Sequence, residues 1–281
     1  MTTNGVLTSP RRAVFLDVDG TYAHHGIVPP GHVDVVRAAR AAGHLVLLCT
    51  GRPRAMLPER ILAAGFDGLV AAAGAYVEVD GVVLKDQRFP ADLAARAVTT
   101  LDEHDVAYIL EAPDVLHGRP GVDERLRQML RGRFGPSRDQ DGPTDILDAL
   151  RMAEDLTDAS FGKITYFESP LAGAALLDAI GTGVGVLPSS IPGMGDSAGE
   201  LYLDGVHKAI GIELVAAHLG LAPEDVVAVG DGLNDLEMLA WAGTGVAIAG
   251  APPEVLAVAD RVAQGPQGEG LVAAFAELGL T

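Results

Sequence analysis

Two short acidic segments, each directly behind a run of buried-type residues, constrain this chain more than any other feature. Asp17-Val18-Asp19-Gly20-Thr21 follows Ala13-Val14-Phe15-Leu16, and Gly230-Asp231-Gly232-Leu233-Asn234-Asp235 follows Val226-Val227-Ala228-Val229. Each places carboxylates where a strand stops and the chain turns. In an open parallel sheet that carboxyl edge is where ligands bind. Carboxylates converging there repel one another unless a hard cation neutralises them. The two segments therefore read as halves of one Mg2+ site built for phosphate chemistry.

The first eighty residues alternate strand and helix. Val14–Leu16 reads as strand, Pro30–Ala42 as helix, His44–Cys49 as strand, Met56–Ala64 as helix and Leu69–Ala72 as a short strand. That alternation predicts parallel strands joined by crossover helices. Asp80-Gly81, between Tyr76–Val79 and Val82–Leu84, is a hairpin signal. From about Lys85 to Glu200 the elements are mixed. Helices are expected over Ala91–His104, Val122–Leu130, Ile146–Glu154 and Leu171–Ile180, and strands over Val106–Glu111 and Ile164–Glu168. Gly132–Pro143 and Pro188–Gly199, rich in Gly, Pro and Asp, read as loops. The alternation then resumes with helix His207–Leu219, strand Val226–Val229, helix Asn234–Trp241, strand Val246–Ala249 and helices Pro253–Ala259 and Gly270–Leu278. The expected architecture is α/β: a Rossmann-like, doubly wound parallel-sheet core from residues 1–84 and 201–281, with residues 85–200 as an inserted α+β domain.

A chain of 281 residues with 48% hydrophobic residues can bury a large core. Its net charge of −18 argues against nucleic-acid and anionic-membrane partners, both of which need a basic face. An anionic small substrate stays open, because a bound cation and one or two basic side chains dominate the field locally. The single cysteine, Cys49, rules out an intrachain disulfide and suits a reducing cytoplasm. It ends the apolar run Leu45–Leu48 and reads as a structural thiol. No stretch has the length of a transmembrane helix. Arg11-Arg12 could suggest a twin-arginine signal, but Asp17 and Asp19 interrupt the apolar run behind it, so it does not read as one. Residues 1–10 read as a loose tail.

Rival readings of Asp17-Val18-Asp19-Gly20 weaken on inspection. A calcium loop of the EF-hand type needs glycine at its sixth position and glutamate at its twelfth; Tyr22 and Val28 stand there. A nucleotide-sugar transferase also holds metal with Asp-x-Asp, but gives no reason for the second acidic segment. Two further segments fit between the pair. Thr50-Gly51-Arg52 ends an apolar strand with a hydroxyl and a free N–H, able to cradle a phosphoryl oxygen. Lys208 opens a helix, where a cation gains nothing from the helix dipole.

Asp17-Val18-Asp19-Gly20-Thr21, Thr50-Gly51-Arg52, Lys208 and Gly230-Asp231-Gly232-Leu233-Asn234-Asp235 resemble the four ordered motifs of the haloacid-dehalogenase-like (HAD) hydrolases. Met238-Leu239 and the tail Val246–Val255 extend the resemblance, which is nearest to the Cof-type, class IIB branch. About 157 residues separate Thr50 from Lys208, so the inserted domain is placed as that branch places its cap. Two departures stand out. Ala73-Gly74-Ala75 replaces the branch's frequent Asn-Gly-Ala, and Ala209 replaces a frequent glycine.

The resemblance implies that Asp17 attacks phosphorus to form an aspartyl-phosphate, with Asp19 as the general acid and base. It implies Mg2+ held by the Asp17 and Asp231 carboxylates and the Asp19 main-chain carbonyl. Thr50, Gly51, Lys208 and Asn234 would bind phosphate oxygens, and Asp235 would support the metal. Arg52 is left between substrate and a structural ion pair, and His24 and His25 read as solvated flap residues. His117, Arg119, Lys163 and Tyr166 are polar enough to recognise a substrate, and Ile191–Gly199 is placed to act as a lid. The expected activity is that of a Mg2+-dependent phosphatase for a small phosphorylated metabolite, such as a sugar phosphate. A phosphomutase and a non-catalytic sensor of a phosphorylated ligand remain alternatives.

Overall fold

The computed structural model describes residues 11–134, 145–189 and 195–281. The expected N-terminal tail, residues 135–143 of one expected loop and residues 191–194 of the expected lid lie outside the described residues.

The chain opens with strand β1 (Ala13–Leu16), helix α1 (Pro30–Ala41), β2 (Leu45–Cys49), α2 (Glu59–Leu62), β3 (Gly68–Ala71), β4 (Tyr76–Val79) and β5 (Val82–Asp86). Every residue of β1 and β2 is buried, as their unbroken apolar runs require in a sheet covered on both faces. Helix α1 has proline at its first position, where the missing N–H costs nothing, and turns His32, Val35, Val36 and Ala39 inward. Asp80 and Gly81 both adopt positive φ, 49° and 76°, as a tight hairpin turn demands.

The middle of the chain holds α3 (Ala91–Glu103), β6 (Ala107–Glu111), β7 (Leu116–Gly118), α4 (Val122–Phe134), α5 (Asp145–Ala149), β8 (Leu150–Met152), β9 (Lys163–Phe167), α6 (Gly173–Ile180), β10 (Val184–Pro188) and β11 (Gly199–Leu203). The last part contains α7 (Lys208–Leu219), β12 (Val226–Gly230), α8 (Leu236–Trp241), β13 (Thr244–Ile248), α9 (Pro253–Val258), β14 (Arg261–Ala263) and α10 (Gly270–Glu277).

These elements form two compact units. One comprises residues 1–51, 58–85 and 207–281; the other comprises residues 52–57 and 86–206. The first is built on an eight-stranded sheet in the order β14-β13-β12-β1-β2-β3-β4-β5. From β14 to β3 the neighbours run parallel, and β4 returns antiparallel to β3. Strands β2 and β3 lie to one side of β1, whereas β12, β13 and β14 lie to the other. The strand order therefore reverses between β1 and β12, which is the doubly wound arrangement. Phe15, Leu47, Val70 and Ala228 pack with Ile212, Val215, Met238 and Leu239 of α7 and α8 on one face. Each of the larger side chains among them contributes about 1.5–3 kcal/mol when fully buried.

The second unit is a six-stranded sheet in the order β10-β11-β9-β6-β7-β8, antiparallel throughout except between β7 and β8. Ile109, Leu116 and Phe167 meet Val122 and Leu126 of α4 in its core. Here the sequence reading needs correction. The helix expected over Ile146–Glu154 ends at Ala149, and Leu150–Met152 instead pairs parallel with β7. Partners distant in sequence override local propensity there. Strands β7, β10 and β11 were also hidden in the sequence. Strand β11 runs across residue 200, so residues 201–206 stand with the second unit. Among the described residues no helix is long and apolar enough to cross a membrane.

Candidate active site

The topology of the first sheet brings the two acidic segments together. β1 and β12 are parallel neighbours with Leu16 opposite Val229, so Asp17 and Asp231 leave the same sheet edge side by side. The Asp17 N–H donates to the Val229 carbonyl at 2.9 Å, which extends the ladder one residue past the strand. Carboxylate oxygens of Asp17, Asp231 and Asp235 all lie within 4.8 Å of one another.

Lys208, at the start of α7, is wholly buried among them. Its ammonium donates to Asp17 Oδ1 at 2.6 Å and to Asp235 Oδ1 at 2.5 Å. Asp235 uses its other oxygen, Oδ2, to accept from the N–H groups of Asp231 and Gly232, both at 2.9 Å. It thus ties the lysine to the loop that carries Asp231. Thr21 donates its hydroxyl to Asp231 Oδ1 at 2.9 Å, linking the two acidic segments directly.

Glycine is obligatory at two points. Gly20 has φ of 93°, and a Cβ there would stand 2.3 Å from Asp231 Oδ2. A Cβ on Gly230 would stand 2.5 Å from Asp235 Cγ. The chain is pared down so that carboxylates can close on one point.

The electrostatics follow from that crowding. Burial, opposed by Lys208 and reinforced by Asp235 and Asp231, holds the Asp17 carboxyl well above the usual range. Asp231 is pushed up to about 6, first by burial and then by Asp235. Burial works against the Lys208 charge, yet Asp17 and Asp235 outweigh it and hold the ammonium above its ordinary pKa. One lysine does not neutralise three carboxylates. Hard oxygen donors with excess negative charge are the donor set that suits Mg2+, and such an ion would reverse the upward shifts.

Thr50 is buried at the end of β2, its N–H donating to the Val70 carbonyl at 2.8 Å. Its carbonyl accepts from Ala73 N–H at 3.0 Å. Asn234 approaches Gly51, since a Cβ on that glycine would meet Asn234 Nδ2 at 3.6 Å. Asp17, Asp19, Thr50, Gly51, Lys208, Asp231, Asn234 and Asp235 thus all belong to the carboxyl edge of one sheet. Asp19 is exposed while Asp17 is buried.

Arg52 has a different setting. Its guanidinium donates to Asp145 Oδ2 and to the Met56 carbonyl, both at 3.2 Å, within the second unit. An ion pair with Asp145 is therefore present at Arg52. Lys163 is buried between Glu111 at 3.2 Å and Glu200 at 3.1 Å, and Arg119 is tied to Asp102. Cys49 is buried and its thiol pushed up by burial, as expected of a structural cysteine. One residue that sequence reasoning missed is His32. Its signal was an ionisable residue on the apolar stripe of α1, in register with Val35, Val36 and Ala39.

A buried carboxylate held by a buried lysine, beside a second acidic loop on a doubly wound sheet, is an arrangement suited to phosphoryl transfer. Residues 14–275 match the haloacid dehalogenase-like hydrolase family model, and the chain belongs to that family. It is 29% identical over 266 residues to a phosphoglycolate phosphatase of Methanopyrus kandleri, covering 92% of this chain and 93% of that protein. It is 27% identical to a Streptococcus pyogenes protein named as a bifunctional phosphatase and peptidyl-prolyl cis-trans isomerase. That match covers 96% of this chain but 54% of the longer protein, so the chain spans about half of that relative's length. Among solved structures, the subclass IIB sugar phosphatase BT4131 superposes with a TM-score of 0.77 at 22% identity, over 96% of this chain and 100% of that one. BT1666 of Bacteroides thetaiotaomicron superposes with a TM-score of 0.76 at 23% identity, over 100% of this chain and 99% of that one. The fold is that of the branch the sequence motifs resemble.

Proposed function

We propose that this chain is a Mg2+-dependent phosphatase acting on a small phosphorylated metabolite, a sugar phosphate or related phosphomonoester. The observation that carries the reading is the buried Asp17 carboxylate held by Lys208 beside Asp231. A buried carboxylate with one oxygen held by a lysine is preorganised, so it needs little reorganisation when it reacts. The phosphatase names of the relatives support the same chemistry.

In this reading Asp17 attacks phosphorus in line while Asp19 gives a proton to the leaving oxygen. The resulting aspartyl-phosphate is hydrolysed as Asp19 takes a proton from water. Thr50, the Gly51 N–H, Asn234 and Lys208 hold the non-bridging oxygens. Asp235 keeps Lys208 and the Asp231 loop in place. Mg2+ would be held by Asp17, Asp231 and the Asp19 carbonyl, and when bound it supplies the charge that lets carboxylate and phosphate meet. Residues 86–206 would serve as the cap that selects the substrate. A single buried cysteine suits the cytoplasm.

The test is phosphate release from a panel of sugar phosphates, nucleotides and cofactor phosphates, with Mg2+ or EDTA, in wild type and Asp17→Asn. Mg2+-dependent release that disappears in the variant is the expected result. Turnover retained by Asp17→Asn, with deamidation excluded, would overturn the assignment. Transfer that needs a bisphosphate activator would indicate a mutase.

A further inference from the structure

We infer that His32 is a positioning residue for the nucleophile: its ring ties the turn that carries Asp17 to the N-terminus of α10. This inference rests on the proposed role of Asp17. After β1 the chain closes a tight turn in which Tyr22 N–H donates to the Asp17 carbonyl at 3.2 Å and Ala23 N–H to the Val18 carbonyl at 2.7 Å. The Tyr22 carbonyl leaves this turn inward, where it meets His32 Nδ1 at 2.9 Å. On the far side of the ring, Leu271 N–H donates to His32 Nε2 at 3.2 Å.

The tautomer follows from the partners. A backbone N–H can only donate, so Nε2 accepts; a carbonyl can only accept, so the proton is on Nδ1. His32 is fully buried, and burial holds its pKa below the ordinary value despite the Tyr22 carbonyl and Glu269. The ring is therefore neutral at pH 7, as this two-sided bond requires. Leu271 is the second residue of α10, and its N–H is one of those a helix cannot satisfy internally. The imidazole thus caps one helix from another while bracing the turn. The Tyr22 ring stacks on His32 at 6.2 Å between centroids, so the turn and the brace pack as one body. Glu269 Oε1 accepts from Gly31 N–H at 3.0 Å, a second tie between the same two segments.

Two conservative variants separate positioning from mere stability. His32→Asn keeps a donor near Tyr22 and loses the acceptor for Leu271. His32→Gln keeps an acceptor near Leu271 and loses the donor to Tyr22. Both should be destabilised to a similar degree in urea melts. With p-nitrophenyl phosphate and Mg2+, we expect kcat to fall about 10- to 100-fold in His32→Gln with KM little changed, because a misplacement of about 1 Å costs that much. His32→Asn should stay within about threefold of wild type. Hydrogen exchange gives an activity-free readout: Tyr22 and Ala23 amides should lose protection in His32→Gln and keep it in His32→Asn. The 15N shifts of wild-type His32 should report the Nδ1–H tautomer. Equal kcat and equal exchange in the two variants, or the opposite tautomer, would overturn the inference. If wild type hydrolyses nothing, the proposed function fails, while exchange and tautomer still decide the brace.

Discussion

The Lys208 ammonium lies 2.6 Å from the Asp17 carboxylate although 191 residues separate them in the chain, and both groups are buried. The pair is completed by Asp235, so one cation serves two carboxylates. Removing a partner from a buried pair leaves an uncompensated charge, which costs about 3–5 kcal/mol. Lys208→Met should therefore lower stability by that order in chemical denaturation. It should also cut phosphatase kcat by at least about 10²–10³, the usual loss for one preorganised contact.

In the proposed function Asp231 supplies the second carboxylate for Mg2+, and its oxygens lie over Gly20. A ligand that binds only the folded state stabilises it by about 2.7 kcal/mol at a hundred times its Kd. Mg2+ should thus raise the Tm of the wild type, and EDTA should reverse the rise. In Asp231→Asn the Mg2+-dependent rise should vanish while the apoprotein stays folded. A full metal response in that variant would remove Asp231 from the site.

Tyr22 is buried with no hydrogen-bond partner for its hydroxyl among the described residues. Desolvating a hydroxyl without a partner is unfavourable by about 1–3 kcal/mol. Tyr22→Phe keeps the ring against His32 and Phe66 and removes the stranded group. Equilibrium unfolding should show the variant as stable as wild type or up to about 1 kcal/mol more so. A loss greater than that would mean the hydroxyl is bonded in solution.

Ala73 holds φ at 54°, a left-handed conformation that an alanine adopts at a cost of about 1–2 kcal/mol. The strained turn is kept because Ala73 N–H donates to the Thr50 carbonyl. Ala73→Gly relieves the strain but adds unfolded-state entropy, so a net gain of about 0.5–1 kcal/mol is expected. Thermal melts of this single variant test it.

His32 and His44 both have pKa values lowered, first by burial; the Arg12 charge adds to the effect at His44. Below pH about 6.5 the unfolded chain protonates these rings while the folded chain does not. The unfolded state then binds more protons, so stability falls as pH drops through the unfolded pKa towards the folded values. Each group contributes a slope of at most about 1.4 kcal/mol per pH unit. Urea midpoints of wild type and His32→Gln between pH 5 and 7.5 should converge as the pH falls. Parallel curves would show that His32 is not buried neutral.

What the amino-acid order determined by itself was local. Apolar runs broken by Asp and Gly marked the strand ends of β1, β2 and β12, and Asp80-Gly81 marked a hairpin, because buried strands and positive-φ turns restrict residue type strongly. The residues gathered at the sheet edge, from Asp17 to Asp235, were legible as an ordered set of segments that resembles a family's motifs, because each segment taken singly also suits an ordinary turn. Tertiary structure alone decided the pairings. Leu150–Met152 became a strand because β7 lay beside it, and Arg52 joined Asp145 across 93 residues. His32 found its two partners in a turn before it and a helix 239 residues after it. A short strand and a buried polar ring are stabilised by neighbours that only folding supplies, so a local pattern could mark His32's place on the apolar stripe of α1 but could not name its partners.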